Sequence, residues 1–201
     1  MNKKFELTDE KIERFGRTLY RIKALKSFSN VNEGDLGGYV EKEENLSQNG
    51  DAWVYGNAQV CGDAWVYGNA QVCGDAWVYG DARVCGDARV CGDARVYGNA
   101  RVYGDAQVYG GARVYGNARV ANCAEILWMT PVGSEQGTLT VARNKNGGLF
   151  VSRGCFSGTL GDFEAAVEKT HGNSRYGEEY RAAIKFIKLR FNVNESGGEG
   201  E

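Results

Sequence analysis

From Ala52 to Cys123 the chain repeats one six-residue phrase, Ala-x-Val-Tyr/Cys-Gly-Asn/Asp, through twelve units, the tenth and the twelfth ending in irregular residues. No insertion breaks the register, so whatever structure one unit adopts the next must repeat. Within a unit Ala and Val sit two apart and share one side of a short strand, while the residue between them points away. Gly-Asn or Gly-Asp then turns the chain. Gly takes positive φ freely, and Asn and Asp are the next most tolerant residues there. Three units close a three-sided coil in which residues eighteen apart stack. Each added coil pairs its backbone with the last and lengthens one column of buried valine. Twelve units make about four coils, and at roughly 4.8 Å per coil the regular prism stands on the order of 20 Å tall.

Composition agrees with a turn used again and again, with 29 Gly against 1 Pro. A formal charge of −2 commits the chain neither to nucleic acid nor to an anionic membrane. The longest apolar runs are a few residues, too short for a transmembrane helix. The polar start Met1-Asn2-Lys3-Lys4 lacks the apolar core of a signal peptide. Of the six cysteines, Cys61, Cys73, Cys85 and Cys91 occupy the repeat position that elsewhere holds Tyr. Together with Cys123 and Cys155 they read as reduced thiols of a cytoplasmic protein, the bacterial host cytoplasm if the protein is phage-encoded.

The Ala-x-Val-x-Gly-Asn/Asp phrase, with Val54 and Ala58 or Val60 and Ala64 four apart, resembles the hexapeptide repeat of left-handed β-helix proteins. That resemblance implies a left-handed parallel β-helix and is silent on activity, because its members include acyltransferases, carbonic anhydrases, antifreeze proteins and scaffolds. Leu19 to Leu25, Gly34 to Val40 and Glu44 to Ser47 resemble the lead-in of uncharacterised phage and prophage members. Gly154 to Leu160 is similar to a domain appended to several of them.

The expected organisation follows. Residues 1–50 form an N-terminal cap, a β-hairpin plus a first coil, with strands around Phe15-Gly16. An amphipathic helix from Thr8 is the rival, but Gly16 at its middle costs about 1 kcal/mol relative to Ala. Val40 and Leu46, six apart, start the coil register early. Residues 51–123 form the β-helix. Residues 124–191 form an α+β module, with strands at Ile126–Met129, Thr138–Ala142 and Leu149–Ser152 and helices at Leu160–Lys169 and Gly177–Arg190. Residues 192–201 are a polar, disordered tail.

Function is weighed from what the coils carry. They contain no His, which argues against an acyltransferase base and against a three-imidazole zinc site, and no Thr, which argues against an ice-binding ladder. No cofactor or metal is expected; Cys73 and Cys91 stack as two soft ligands without a third. Cys155 and His171 are the catalytic candidates, a nucleophile and base with Asp162 or Glu164 as third member, against a bland thiol and a helix-end imidazole. A transferase site near His171 or at a subunit junction is the alternative function.

The outward positions point instead to binding. In eighteen-residue register they place Trp65, Arg83, Arg101 and Arg119 on one face, Trp77, Arg95 and Arg113 on a second, and Trp53 and Arg89 with glutamines on the third. Tyr79, Tyr97 and Tyr115 form a column, and Tyr103 stands beside the arginines. Tyr and Arg supply stacking planes and bidentate donors, the side chains enriched at interfaces. Self-support by stacked aromatics and Arg–Asp pairs is the plainest role. Beyond it, the expectation is a non-enzymatic binding or scaffolding protein, a homo-oligomer (dimer or trimer) and phage accessory factor holding a protein partner or small anionic ligand. Acidic corners disfavour extended nucleic acid.

Overall fold

The computed structural model describes residues 3–193 and divides into two compact units, one ending at Cys123 and one beginning at Ala124. The tail expected to be disordered lies outside the described residues from Asn194 onward. Its first residues do not belong to it. Asn192 closes the last helix in the left-handed conformation (φ 54°, ψ 46°), and Val193 N–H donates to Lys188 O at 2.9 Å. The cause is the ordinary one for a helix end, whose orphan carbonyls accept from a residue that tolerates αL.

The first unit is a parallel β-helix of about five turns. Its twelve regular rungs are two residues long, from Trp53–Val54 to Arg119–Val120, and each pairs in parallel with the rung eighteen residues away. Every repeat Ala and Val is buried. Rung amides bond to the next coil at 2.9 Å, as in Arg83 N–H to Ala100 O and Cys85 N–H to Val102 O. The corner glycines of the repeat all have positive φ, between 58° and 71°. Corner side chains also stack, Asn69 Nδ2 donating to Asp87 Oδ1 at 3.0 Å.

One coil precedes the regular array. Strand β3 (Leu36–Val40) pairs in parallel with Gln59–Val60, and Leu46 bridges Val66, each twenty residues away rather than eighteen. The two extra residues sit between Leu46 and Val54, where the chain makes a looser corner. At this end, strand edges and carbonyls that a further coil would have satisfied need other partners. β1 (Phe5–Arg14) and β2 (Arg17–Ala24) form an antiparallel hairpin turned by Phe15-Gly16, both at positive φ, and β2 pairs with β3. Strand, not helix, wins here because the hairpin completes a sheet edge. Two buried side chains finish the cap. Lys4 donates to Gly50 O at 3.2 Å and Ala52 O at 2.8 Å, and Asn45 Nδ2 donates to Gly62 O and Ala64 O at 3.0 and 2.8 Å.

The second unit is a four-stranded antiparallel meander, Ile126–Val132, Gly137–Arg143, Leu149–Arg153 and Phe156–Thr159, followed by helices α1 (Leu160–His171) and α2 (Arg175–Phe191). Its core joins Leu139, Val141 and Val151 to Phe163, Val167, Ile184 and Ile187. Thr159 and Asp162 form a reciprocal cap at the start of α1, Thr159 Oγ1 accepting from Asp162 N–H at 3.2 Å and Asp162 Oδ2 from Thr159 N–H at 3.0 Å. No helix among the described residues is long and apolar enough to cross a membrane.

Candidate functional site

Alternation within each rung sends one side chain outward per face, and parallel register stacks these into ladders. One face carries Trp65, Arg83, Arg101 and Arg119, in which Arg101 pairs in register with both Arg83 and Arg119. All three guanidinium groups are exposed. Neighbouring rungs lie about 4.8 Å apart, so like charges are held close. On this face the expected Arg–Asp pairs are not made. Among the described residues none of these three arginines forms an ion pair, while Asp63 pairs with Lys42 at 2.8 Å and Asp87 accepts from Asn69. At the upper end of the face Trp65 stacks on Tyr67 at 4.1 Å. Tyr67, Cys85 and Tyr103 continue as the next column. A hydrogen bond with Cys85, then burial, holds the Tyr67 phenol above its ordinary value, against the pull of Arg83 and Arg101. Tyr103, 37% exposed, stands beside Arg101.

A second face carries Trp77, Arg95 and Arg113 in register, Arg95 lying over the Trp77 ring at 5.9 Å. Beside them Tyr79, Tyr97 and Tyr115 stack at 4.8 and 4.6 Å with planes 3° and 6° apart. Burial first, then the neighbouring phenols, push the Tyr97 hydroxyl up to about 12. Trp77 is not an open binding platform. Phe15 at the hairpin tip stacks on it at 4.7 Å, and the hairpin covers that end of the face. Trp53 on the third face is likewise covered, buried edge-on against Phe5 and Phe28 at 6.2 and 5.4 Å. Only Arg89, between Gln71 and Gln107, is charged there. Thus the twelve residues expected to bind are split over three faces rather than gathered at one site.

Cysteine pairing corrects the expectation of six reduced thiols. Cys73 and Cys91, stacked with Cα atoms 4.5 Å apart, form a disulfide, and Cys61, Cys85, Cys123 and Cys155 stand outside it as thiols. The eighteen-residue register alone brings that pair within the range a disulfide spans.

In the second unit a cleft of about 370 Å³ brings Cys155 and His171 to one wall system, with Arg153, Phe163 and Tyr180. No hydrogen bond joins Cys155 to His171. The His171 ring instead lies against Tyr180 at 5.3 Å. Neither carboxylate considered as third member orients the imidazole: Asp162 caps α1, and Glu164 pairs with Lys188 at 2.8 Å. A nucleophile–base–acid chain is therefore not assembled. Sequence reasoning missed Lys4, Asn45, Tyr67 and Arg153. Only Tyr67 was findable, since it follows Trp65 in the same unit and shares its face.

Residues 58–74, 70–86, 94–110 and 112–123 match the YdcK β-solenoid repeat family, all of them within the coils. No curated protein matches the chain. Repeat match and observed coils agree, and the chain is a β-solenoid repeat protein.

Proposed function

We propose that this is a non-enzymatic binding or scaffolding protein whose β-helix presents an arginine ladder to an acidic partner. The observation that carries this is the in-register trio Arg83, Arg101 and Arg119, exposed and without a carboxylate among the described residues. Holding like charges one rung apart is unfavourable for the isolated chain. A partner carboxylate or phosphate relieves that repulsion and gains bidentate hydrogen bonds. Trp65 and Tyr67 at one end and Tyr103 alongside add planar contact area, so the ligand is a protein segment or a small anion with a flat group. Copies of the chain associate through the other ladder, where Tyr79, Tyr97 and Tyr115 offer a stacked, half-buried aromatic strip. Self-association through the trio is opposed by its own charge. The resemblance to phage and prophage proteins supports an accessory role in the bacterial cytoplasm, masking a host factor or holding a small anion.

The test is affinity capture from bacterial lysate with the wild type and with Arg83→Glu/Arg101→Glu/Arg119→Glu, each first checked for mass in solution. A partner of acidic character recovered by the wild type and lost from the variant supports the proposal. Identical recovery by both removes it.

A further inference from the structure

The second unit contains a charge that its own fold does not balance. Arg153 ends the strand Leu149–Arg153 and lines the cleft described above. Its Nη2 donates to Val132 O at 2.7 Å, and its charge draws on the Tyr180 phenol, which burial holds above its ordinary value. Gly137 makes room for it, since a Cβ there would lie 2.5 Å from Nη1. The group is thus held by one neutral acceptor, while its Nε is buried without any acceptor. Among the described residues Arg153 makes no ion pair; Glu135 is exposed at the cleft rim, and Glu179, which accepts from Gly133 N–H at 3.0 Å, is not within ion-pair distance of it. A partly buried cation with no carboxylate in direct contact gains free energy when an anion reaches it. One wall of the cleft is apolar, with Phe156, Phe163, Val167 and Tyr180, while Ser134, Thr170 and His171 add polar groups, and its volume of about 370 Å³ falls in the range that small ligands fill.

We propose that this cleft binds a small organic acid, its carboxylate on Arg153 and its apolar, ring-sized body against Phe163, Val167 and Tyr180. The inference does not depend on the arginine ladder of the β-helix. Cys155, exposed at the cleft, is a reporter of occupancy, and Cys123, exposed in the other unit, is its control.

The experiment uses the full chain with three probes: hydrocinnamate, its neutral amide, and inorganic phosphate. Binding is followed by calorimetry, and alkylation of Cys155 and Cys123 by peptide mass spectrometry. Expected are saturable hydrocinnamate binding at or below the millimolar range and at least about tenfold weaker binding of the amide. Alkylation of Cys155 slows with the acid while that of Cys123 does not. Arg153→Gln abolishes both effects. Ala166→Phe fills the cleft from α1 without touching the Arg153 contacts, and abolishes them too, so the proposal stays decidable if Arg153→Gln fails to fold. Equal affinity for acid and amide, phosphate binding as tightly as the acid, or no saturable binding of the acid each overturns the proposal. So does unchanged binding by folded Ala166→Phe.

Discussion

Tyr79 and Tyr97, eighteen residues apart in sequence, stack with ring centroids 4.8 Å apart and planes 3° from parallel. Their spacing is the rung spacing of the coil expressed in side chains, and Tyr115 extends it by another step of 4.6 Å. The middle ring has aromatic neighbours above and below. Replacing Tyr97 with Leu keeps apolar area and removes both stacks, and stability falls by about 1–3 kcal/mol, read by chemical denaturation. The phenol also sets a pH limit. Its folded value is about 12 against an ordinary 10.0, so its contribution is complete below pH 10 and is lost as pH rises through about 12. Phenolate absorbance of Tyr97→Phe lacks the last-titrating step that the wild type shows.

Lys4 acts at the opposite extreme of the charge scale. Burial pulls its ammonium down to about 8 from 10.5, with Asp51 opposing, while its hydrogen bonds close the carbonyls of Gly50 and Ala52. Lys4→Met leaves those carbonyls without a donor and costs about 2–4 kcal/mol. Between about pH 8 and pH 10.5 the unfolded chain holds a proton that the folded chain has released, so wild-type stability gains from this group as pH rises. Denaturation midpoints of the variant, compared with wild type from pH 8 to pH 10, show that gain missing.

Corner geometry is tested by Gly74, with φ 70° and a notional Cβ only 2.9 Å from Gly92 N. Gly74→Ala meets both the left-handed penalty of about 1–2 kcal/mol and the next coil's backbone. Gly16→Ala in the same unit, with φ 74° and nothing within 4 Å, meets only the first. The difference between the two denaturation midpoints isolates the coil-to-coil contact.

Hairpin docking rests on an exposed ring. Phe15 is 80% exposed yet stacks on Trp77. Phe15→Ser frees the indole, costs about 0.5–1.5 kcal/mol, and increases acrylamide quenching of tryptophan fluorescence.

Three units of the repeat are identical from Ala to Gly, around Trp53, Trp65 and Trp77, and they mark where sequence stops speaking. The period and the alternation place every Ala and Val inside, and the register places Cys73 beside Cys91, because those relations are local and recur. The three tryptophans nevertheless end fully buried, 39% exposed, and half-buried beneath Phe15. Their fates depend on a hairpin that folds back from elsewhere in the chain. Lys4 and Asn45 escaped notice for the same reason: a polar side chain in a cap looks like any surface residue until the carbonyls it meets are known. In the second unit, the strands and helices of 124–191 follow their apolar spacing, but Phe156–Thr159 is a strand only because Leu149–Arg153 offers it an edge. The cleft beside Arg153 draws on four separated segments and had no signature at all.

The most direct test of the arginine ladder is fluorescence anisotropy of a labelled polyglutamate peptide titrated with wild type and with Arg83→Glu/Arg101→Glu/Arg119→Glu, at about 50 and about 500 mM salt. The predicted result is saturable binding by the wild type, weakened on the order of tenfold at the higher salt and absent from the variant. Binding of equal strength by both proteins, or no dependence on salt, contradicts it.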